Sequence, residues 1–255
     1  MSSENEKSGK LSVVIPVYNE EATLAELLER VAAVSLPVQK ELLIVDDGSR
    51  DRSAGIARRF IETHPQLECK LITRTNGGKG AAVRDGIAAS TGSVVIIQDA
   101  DLEYDPNDFN QCIAPILAGD HAVVYGSRER QKGNAFSDWR FYLGGLTVTW
   151  FINILFGVHL TDEPTCYKTF RGDLIRDLSF EYDDFGWEPE VTCKLLRLGY
   201  RIAEVPISYA PRDFACGKKI RAKDGLKALL ISLLWRFKSM KKYCHLRKSV
   251  YITGK

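Results

Sequence analysis

The chain contains three closely spaced carboxylates, Asp99, Asp101 and Glu103, directly after the apolar segment VVIIQ. Alternate side chains of an extended segment point to the same side, so these three carboxylates are expected to converge. Like charges that converge need a cation, and hard oxygen ligands favour Mg²⁺ or Mn²⁺. The spacing therefore predicts a divalent metal site at Asp99, Asp101 and Glu103.

Two further polar clusters follow apolar runs in the same way. Tyr18 and Glu20 come after LSVVIPV, and Asp46 and Asp47 come after ELLIV. Ligands of an open parallel sheet bind beyond the carboxyl ends of its strands, so the clusters are predicted to line one site. Each cluster also has an ordinary structural interpretation, because acidic residues cap helices and Asp-Gly-Ser segments form turns.

The elements that must position these clusters are read from hydrophobic periodicity. Strands are predicted at residues 11–17, 41–45, 69–73, 94–98 and 122–125, with helices between them, and a further strand is predicted at 201–205. Such alternation favours βαβ units. We therefore predict an α/β fold with a mostly parallel sheet flanked by helices. The glycine-rich segment NGGKG lacks P-loop spacing and no GxGxxG follows the first strand, which disfavours P-loop and dinucleotide-binding proteins.

The second half of the chain combines an apolar segment with a basic tail. Residues 141–160 lack Asp, Glu, Lys and Arg. This length could span a bilayer, but the internal glycines and asparagine favour an internal or interfacial helix. Residues 212–255 carry 13 Lys and Arg against 2 Asp and Glu, whereas residues 1–211 carry 22 against 31. This asymmetry predicts a polyanionic partner for the tail.

The sequence also predicts how the chain is divided into segments. We expect a disordered N-terminus at 1–10, one domain at 11–225 and a basic amphipathic helical extension at 226–255. The six cysteines are at least 23 residues apart, which excludes CxxC motifs and argues for a reducing compartment. Residues 1–10 are polar and lack an apolar stretch, so no secretory signal is expected.

Taken in order, the polar clusters resemble the motifs of inverting family 2 glycosyltransferases with the Rossmann-like GT-A fold. The likeness is strongest to the dolichyl-phosphate mannose synthases and related polyprenyl-phosphate glycosyltransferases, and it covers about residues 11–225. It is carried by the segments PVYNE, DDGS, NGGKG, DADLE, GSR, TDEPTCYK, GWEPE and EVPI.

The resemblance implies a metal-dependent hexosyltransferase. It would move mannose or glucose from GDP-mannose or UDP-glucose to a polyprenyl or dolichyl phosphate, with Mg²⁺ or Mn²⁺. A cytoplasmic protein, peripherally bound to the cytosolic face of a membrane, is expected. Two alternatives stay open: the same donor chemistry with a non-lipid hydroxyl acceptor, or a non-catalytic protein that binds nucleotide sugars or nucleic acid. The complete set of carboxylates weighs against a nucleic-acid-binding protein. So does the lack of basic residues interleaved with aromatic ones, which single-stranded nucleic acid prefers.

The resemblance also implies roles for individual residues. Expected contacts of the nucleotide sugar are Pro16, Tyr18, Glu20, Val45, Asp46, Asp47, Lys79, Asp99, Ala100, Asp101, Arg128, Arg212 and Lys218. Expected contacts of the acceptor phosphate are Arg128, Arg140 and Arg212, and expected catalytic residues are Asp101, Asp162 and Arg128.

Two of these roles are open in detail. Asp162 is the first candidate for a general base or an acceptor-orienting group, and Glu188 is the second. In the related synthases the position of Glu103 is often Gln, so Glu103 would add a negative charge there, and whether it binds the metal directly stays open.

Overall fold

The structure is a computed structural model that describes residues 9–135, 139–212 and 222–249. The strands within these ranges are β1 (Lys10–Val17), β2 (Gln39–Asp46), β3 (Glu68–Thr73), β4 (Val94–Ile97), β5 (Val123–Ser127), β6 (Lys168–Arg171) and β7 (Ile202–Pro206). The helices are α1 (Leu24–Ala33), α2 (Ser53–Thr63), α3 (Lys79–Ala89), α4 (Phe109–Leu117), α5 (Trp139–Phe156), α6 (Gly172–Asp177), α7 (Trp187–Arg197) and α8 (Ala222–Phe237). Short 3₁₀ segments are Pro106–Asp108 and Lys241–Ser249.

The strands form one sheet in the order β3-β2-β1-β4-β6-β5-β7. Strand β6 is antiparallel to both neighbours, β4 and β5, whereas β1 pairs in parallel with β2 and β4, and β5 pairs in parallel with β7. The carboxyl ends of all strands except β6 therefore share one edge. The amino end of β6 lies at that same edge.

Helices on both sides of the sheet explain why its central strands are continuously apolar. In β1 the residues from Leu11 to Ile15 are fully buried, as expected for a strand covered on both faces. Helix α1 buries a stripe at helical spacing, Leu24, Leu27, Leu28 and Val31. Helix α3 approaches β1 so closely that a Cβ on Gly86 would lie 2.4 Å from a methyl carbon of Val14.

Every predicted strand is present with its bounds shifted by two residues at most. Strand β6 and the short helix α6 were not predicted. Asn19, which follows β1, does not cap the next helix, because α1 begins only at Leu24 and has no side-chain cap. Instead Asn19 has a left-handed backbone, with φ of 51°, which Asn tolerates better than most residues. Its Oδ1 accepts a hydrogen bond from the Arg50 N–H at 2.8 Å, which joins the loops after β1 and β2.

The apolar segment predicted at 141–160 forms α5 only as far as Phe156, and Gly157 follows with φ of 66°. Helix α8 spans the predicted boundary at residues 225 and 226 and packs against α5 and α7. Residues 1–8 of the predicted N-terminal segment lie outside the described ranges, whereas Lys10 belongs to β1.

Helices α5 and α8 leave many large apolar side chains exposed, which we call the exposed apolar set. Its members are Trp139, Leu143, Trp150, Ile154, Leu226, Leu230, Leu233, Leu234 and Phe237. In the part of the chain that the structure describes, no helix combines the length and the apolar character needed to cross a bilayer.

Candidate active site

A cleft of about 1290 Å³ opens at the carboxyl ends of the strands. It collects most of the residues predicted from the sequence, namely Pro16, Tyr18, Glu20, Asp47, Lys79, Asp99, Ala100, Asp101, Glu103, Arg128, Arg140, Asp162, Glu188 and Arg212. The same cleft continues along α5 and α8, where its lining includes Phe141, Val148, Leu226 and Leu229. One cavity therefore joins the polar clusters to an apolar surface.

Two predicted donor contacts, Val45 and Asp46, are not brought to this cleft, and a third lies outside the described residues. Val45 and Asp46 are absent from its lining. Val45 is fully buried and packs beside Gly86 of α3, because β2 is covered on that face. Asp46 is also buried, and its Oδ1 accepts the Ser49 N–H at 3.2 Å, so it shapes the turn after β2. Lys218 lies outside the described residues.

Asp47 organises the glycine turn before α3. Its two carboxylate oxygens accept the N–H groups of Gly77 and Gly78 at 2.9 and 2.8 Å. The Asn76 amide donates to Oδ2 at 3.1 Å, and Arg74 forms an ion pair with the same carboxylate. Asp47 thus holds the NGGKG segment at the cleft.

The carboxylates on the floor of the cleft are paired with two cationic side chains. The Lys79 Nζ lies 2.9 Å from Asp99 and 3.0 Å from Glu188. The Arg212 guanidinium lies 3.1 Å from Asp101 and 3.1 Å from Glu20. Two cations therefore face four carboxylates, so the cluster keeps an excess of negative charge.

This excess charge shows in the pKa values. Burial, with the nearby charges of Asp99 and Glu103, raises the pKa of Asp101 to about 7, and the Arg212 charge offsets only part of the rise. Burial lowers the pKa of Lys79, but the charges of Asp99 and Glu188 outweigh it and hold that pKa well above its usual range. The cluster is therefore suited to bind a further cation.

Both carboxylate oxygens of Glu103, the third predicted metal ligand, have partners within the protein. Its Oε2 accepts the Tyr209 hydroxyl at 2.9 Å, and its Oε1 accepts the Arg212 N–H at 3.1 Å. The backbone between Asp101 and Glu103 turns through Leu102, whose φ of 63° breaks the extended alternation. Within the described ranges, no three His, Cys, Asp or Glu side chains are arranged as ligands of one metal ion.

The remaining donor set still fits a hard divalent cation. Asp99 and Asp101 present carboxylate oxygens to the cleft, and Mg²⁺ commonly binds through one or two protein carboxylates together with substrate phosphates. A complete set of protein ligands is thus not required before a diphosphate binds.

Arg128 and Asp162 form a buried pair at the other side of the cleft. The Arg128 Nε and Nη2 donate to the two Asp162 oxygens at 2.7 and 2.6 Å, and the Arg128 backbone N–H donates at 2.9 Å. Burial raises the pKa of Asp162, but the adjacent Arg128 outweighs it and holds that pKa below its usual value. This geometry gives Asp162 a role in orienting Arg128, and it disfavours the general-base role.

Arg140 lies at the start of α5, exposed and beside the Trp139 ring, and it lines the cleft. Glu188 lies in the first turn of α7 and serves as the second partner of Lys79.

Sequence reasoning missed three residues that support the site. The Tyr209 ring lies 5.1 Å from the Arg128 guanidinium, and the Cys166 sulfur accepts the Asp99 N–H at 3.2 Å. The Lys168 Nζ, fully buried, donates to the carbonyl oxygens of Glu163 and Thr165 and so fixes the loop that carries Asp162. Cys166 and Lys168 lie within the segment TDEPTCYK and Tyr209 follows EVPI, but the contacts that these side chains make depend on the fold.

Residues 12–178, more than half of the chain, match the sequence model of glycosyl transferase family 2. The chain belongs to this family. Family 2 membership accounts for the order of the polar clusters along the chain, because all the clusters from PVYNE to TDEPTCYK fall within the matched residues.

Curated relatives of this family 2 chain are named as sugar transferases acting on polyprenyl phosphates. Undecaprenyl-phosphate 4-deoxy-4-formamido-L-arabinose transferase of Pseudomonas aeruginosa is 39% identical over 167 residues, which cover 65% of this chain and 48% of that protein. Dodecaprenyl-phosphate galacturonate synthase of Rhizobium johnstonii is 27% identical over 220 residues, covering 83% and 62%. Dolichyl-phosphate beta-glucosyltransferase of Dictyostelium discoideum is 26% identical over 262 residues, covering 90% and 77%. The chain spans about half the length of the Pseudomonas protein.

Solved structures share the fold. Glucosyl-3-phosphoglycerate synthase from Mycobacterium tuberculosis in complex with UDP matches with a TM-score of 0.68 and 20% identity, over 89% of this chain and 80% of that chain. Its complex with Mn²⁺, UDP-glucose and phosphoglyceric acid matches with a TM-score of 0.66 and 21% identity, over 89% and 79%. The predicted α/β GT-A fold is confirmed.

Proposed function

We propose that this family 2 protein is an inverting glycosyltransferase that moves mannose or glucose from GDP-mannose or UDP-glucose to a polyprenyl or dolichyl phosphate. The observation that carries the proposal is the continuity of the cleft from the carboxylate cluster to α5 and α8. A nucleotide sugar and a prenyl chain require those two surfaces side by side. The relatives named for undecaprenyl, dodecaprenyl and dolichyl phosphates support the same acceptor class.

The carboxylate cluster forms the donor end of the proposed site. Asp99 and Asp101 would hold Mg²⁺ or Mn²⁺, which neutralises charge on the leaving diphosphate when bound. Lys79 and Arg212 supply hydrogen-bond donors to the phosphate oxygens, and the planar fork of Arg212 suits two oxygens at once. The Tyr18 ring offers a stacking face for the base.

Arg128 forms the acceptor end. A lipid phosphate is already ionised near neutral pH, so it needs orientation more than a general base. Asp162 fixes the Arg128 side chain through three hydrogen bonds, and this leaves the guanidinium oriented at the cleft wall. Arg140 adds positive charge where α5 begins.

The exposed apolar set and the basic tail favour attachment to the surface of an anionic membrane. Clustered Lys and Arg near such a surface contribute on the order of 1 kcal/mol each. A cytoplasmic protein held at the cytosolic face of a membrane would meet both its donor and its lipid acceptor. Flotation with vesicles that contain anionic lipid tests this, and binding that is unchanged in Leu230→Asp and Phe237→Asp would contradict it.

The acceptor is tested with radiolabelled GDP-mannose or UDP-glucose, Mg²⁺ and a short polyprenyl phosphate in detergent. We expect label in the lipid product and none in added glycans or phosphoglyceric acid. The variant Leu226→Asp, which changes an exposed residue of the cleft lining, should lose lipid labelling while it still binds nucleotide. Its matched control is Leu230→Asp, equally exposed on the same helix but outside this lining.

Label in a soluble hydroxyl acceptor, with none in lipid, would reject the proposed acceptor and favour the alternative with the same donor chemistry. Equal loss of labelling in the two leucine variants would reject the proposed path of the prenyl chain.

A further inference from the structure

The Arg212 side chain lies inside the carboxylate cluster rather than at its rim. Its guanidinium bridges Asp101 and Glu20, at 3.1 Å from each, and the Arg212 side chain is only 19% exposed. Asp101 is also the carboxylate that the donor metal would use. A side chain of this protein therefore already neutralises the carboxylate to which a metal ion would bind.

The backbone around Arg212 is held in this position by Glu103. The Glu103 carboxylate accepts the Tyr209 hydroxyl and the Arg212 N–H, at 2.9 and 3.1 Å. The Glu103 carbonyl oxygen accepts the Ala210 N–H at 2.9 Å. Asn134 adds a fourth bond, because its Oδ1 accepts the Tyr209 N–H at 3.0 Å. The segment that presents Arg212 is thus attached to the loop that carries Asp101.

We propose that Arg212 is a resident counter-ion that competes with the divalent cation for Asp101 and so makes metal binding depend on the nucleoside diphosphate. The inference rests on the proposed donor site. Magnesium binds carboxylate oxygens at about 2.0–2.1 Å, so an ion on Asp101 would lie close to the guanidinium and be repelled by it. A diphosphate removes this conflict because it offers the Arg212 fork two new oxygens.

This arrangement has a reciprocal consequence. If the diphosphate raises the affinity for the metal, the metal must raise the affinity for the diphosphate by the same factor. In the wild-type protein the metal alone binds weakly, and metal and nucleotide together bind tightly. Loss of the Arg212 charge should strengthen binding of the metal alone and weaken binding of the metal and nucleotide together. The two effects therefore have opposite signs.

The test measures Mn²⁺ binding by electron paramagnetic resonance, in the absence and presence of UDP or GDP, for the wild type and for Arg212→Gln. Without nucleotide we expect Arg212→Gln to bind Mn²⁺ about tenfold more tightly than the wild type, within the usual range of coupling between sites. With Mn²⁺ present, the variant should bind the nucleotide about tenfold more weakly.

Two further variants separate charge from folding. Arg212→Lys keeps the charge and should retain most of the wild-type dependence of Mn²⁺ binding on nucleotide. Arg130→Gln removes an arginine that is 50% exposed and contacts Glu204 outside the carboxylate cluster, so both affinities should stay at wild-type values. Thermal unfolding of each variant verifies that it is folded.

Mn²⁺ affinity without nucleotide that is unchanged or weaker in Arg212→Gln would overturn the inference. If the wild type binds Mn²⁺ together with UDP or GDP, that result for Arg212→Gln would reject the inference but not the proposed donor site. A wild type that binds neither nucleotide with Mn²⁺ would instead reject the proposed function, and the inference with it.

Discussion

The substitution Asp162→Asn tests whether Asp162 balances a buried charge on Arg128. The two side chains are 4% and 23% exposed, and three hydrogen bonds join the residues. Asparagine preserves the shape of the side chain but removes its charge and one acceptor oxygen. Removing one partner of a buried ion pair lowers the free energy of unfolding by about 3–5 kcal/mol. Because Arg128 is partly exposed, we expect a loss of about 3 kcal/mol here.

For a domain of this size, that loss corresponds to a fall in melting temperature of about 10 °C. Urea unfolding gives the free energy of unfolding directly. The matched control is Asp173→Asn, which breaks a pair with Arg171 in which the Asp173 side chain is 64% exposed. Such surface pairs contribute about 0–1 kcal/mol, so the control should remain close to the wild type.

A double-mutant cycle decides the interpretation. The double variant Arg128→Met with Asp162→Asn removes both charges, so it should be destabilised by less than the sum of the two single variants. Strict additivity, or a loss in Asp162→Asn no larger than in Asp173→Asn, would refute the idea that the buried pair is electrostatically coupled.

Three further outcomes are expected. Lys194→Met should lower the free energy of unfolding by about 3–5 kcal/mol in guanidinium titrations, because it leaves the fully buried Glu190 carboxylate without its cation; a loss below about 1 kcal/mol would contradict this. In EDTA, Asp101 binds its proton more tightly in the folded protein, with a pKa of about 7 against an ordinary 3.8, so its stabilising contribution is lost as pH rises towards 7. When the pH is raised from about 5 to about 8, the free energy of unfolding of Asp101→Asn should therefore rise by about 2–3 kcal/mol relative to that of the wild type. The same difference between the two proteins at both pH values would refute this prediction. Chelation should abolish sugar transfer and Mn²⁺ should restore it; full activity in EDTA would reject metal dependence.

The strands and the order of the site clusters could be predicted because they depend on local patterns. Apolar β-branched runs indicate buried parallel strands, and polar residues after them mark the binding edge. The orientation of Glu103 could not be predicted in this way. The sequence argument assumed extended backbone from Asp99 to Glu103, and the left-handed Leu102 turns the chain before Glu103 is reached.

Contacts between residues that are far apart in the sequence were the second feature that could not be predicted. The resemblance to family 2 enzymes implied that Arg212 and Asp101 belong to one site, but it did not show that the two side chains contact each other. Strand β6 escaped prediction because it is four residues long and begins with Lys168, a charged residue that is fully buried only because loop carbonyl oxygens surround its amine.

The reversed direction of β6 divides the site into two separable parts. Because β6 runs against its neighbours, the loop before it reaches the edge where the other strands end, and Asp162 and Cys166 enter the cleft from that loop. The proposed donor side is supplied mainly by β1, β4 and α3, and the proposed acceptor side by α5, this loop and the segment after β5. Exchanging the segment from α5 to β6 between relatives would therefore be a direct way to engineer acceptor choice while the nucleotide-binding half keeps its register.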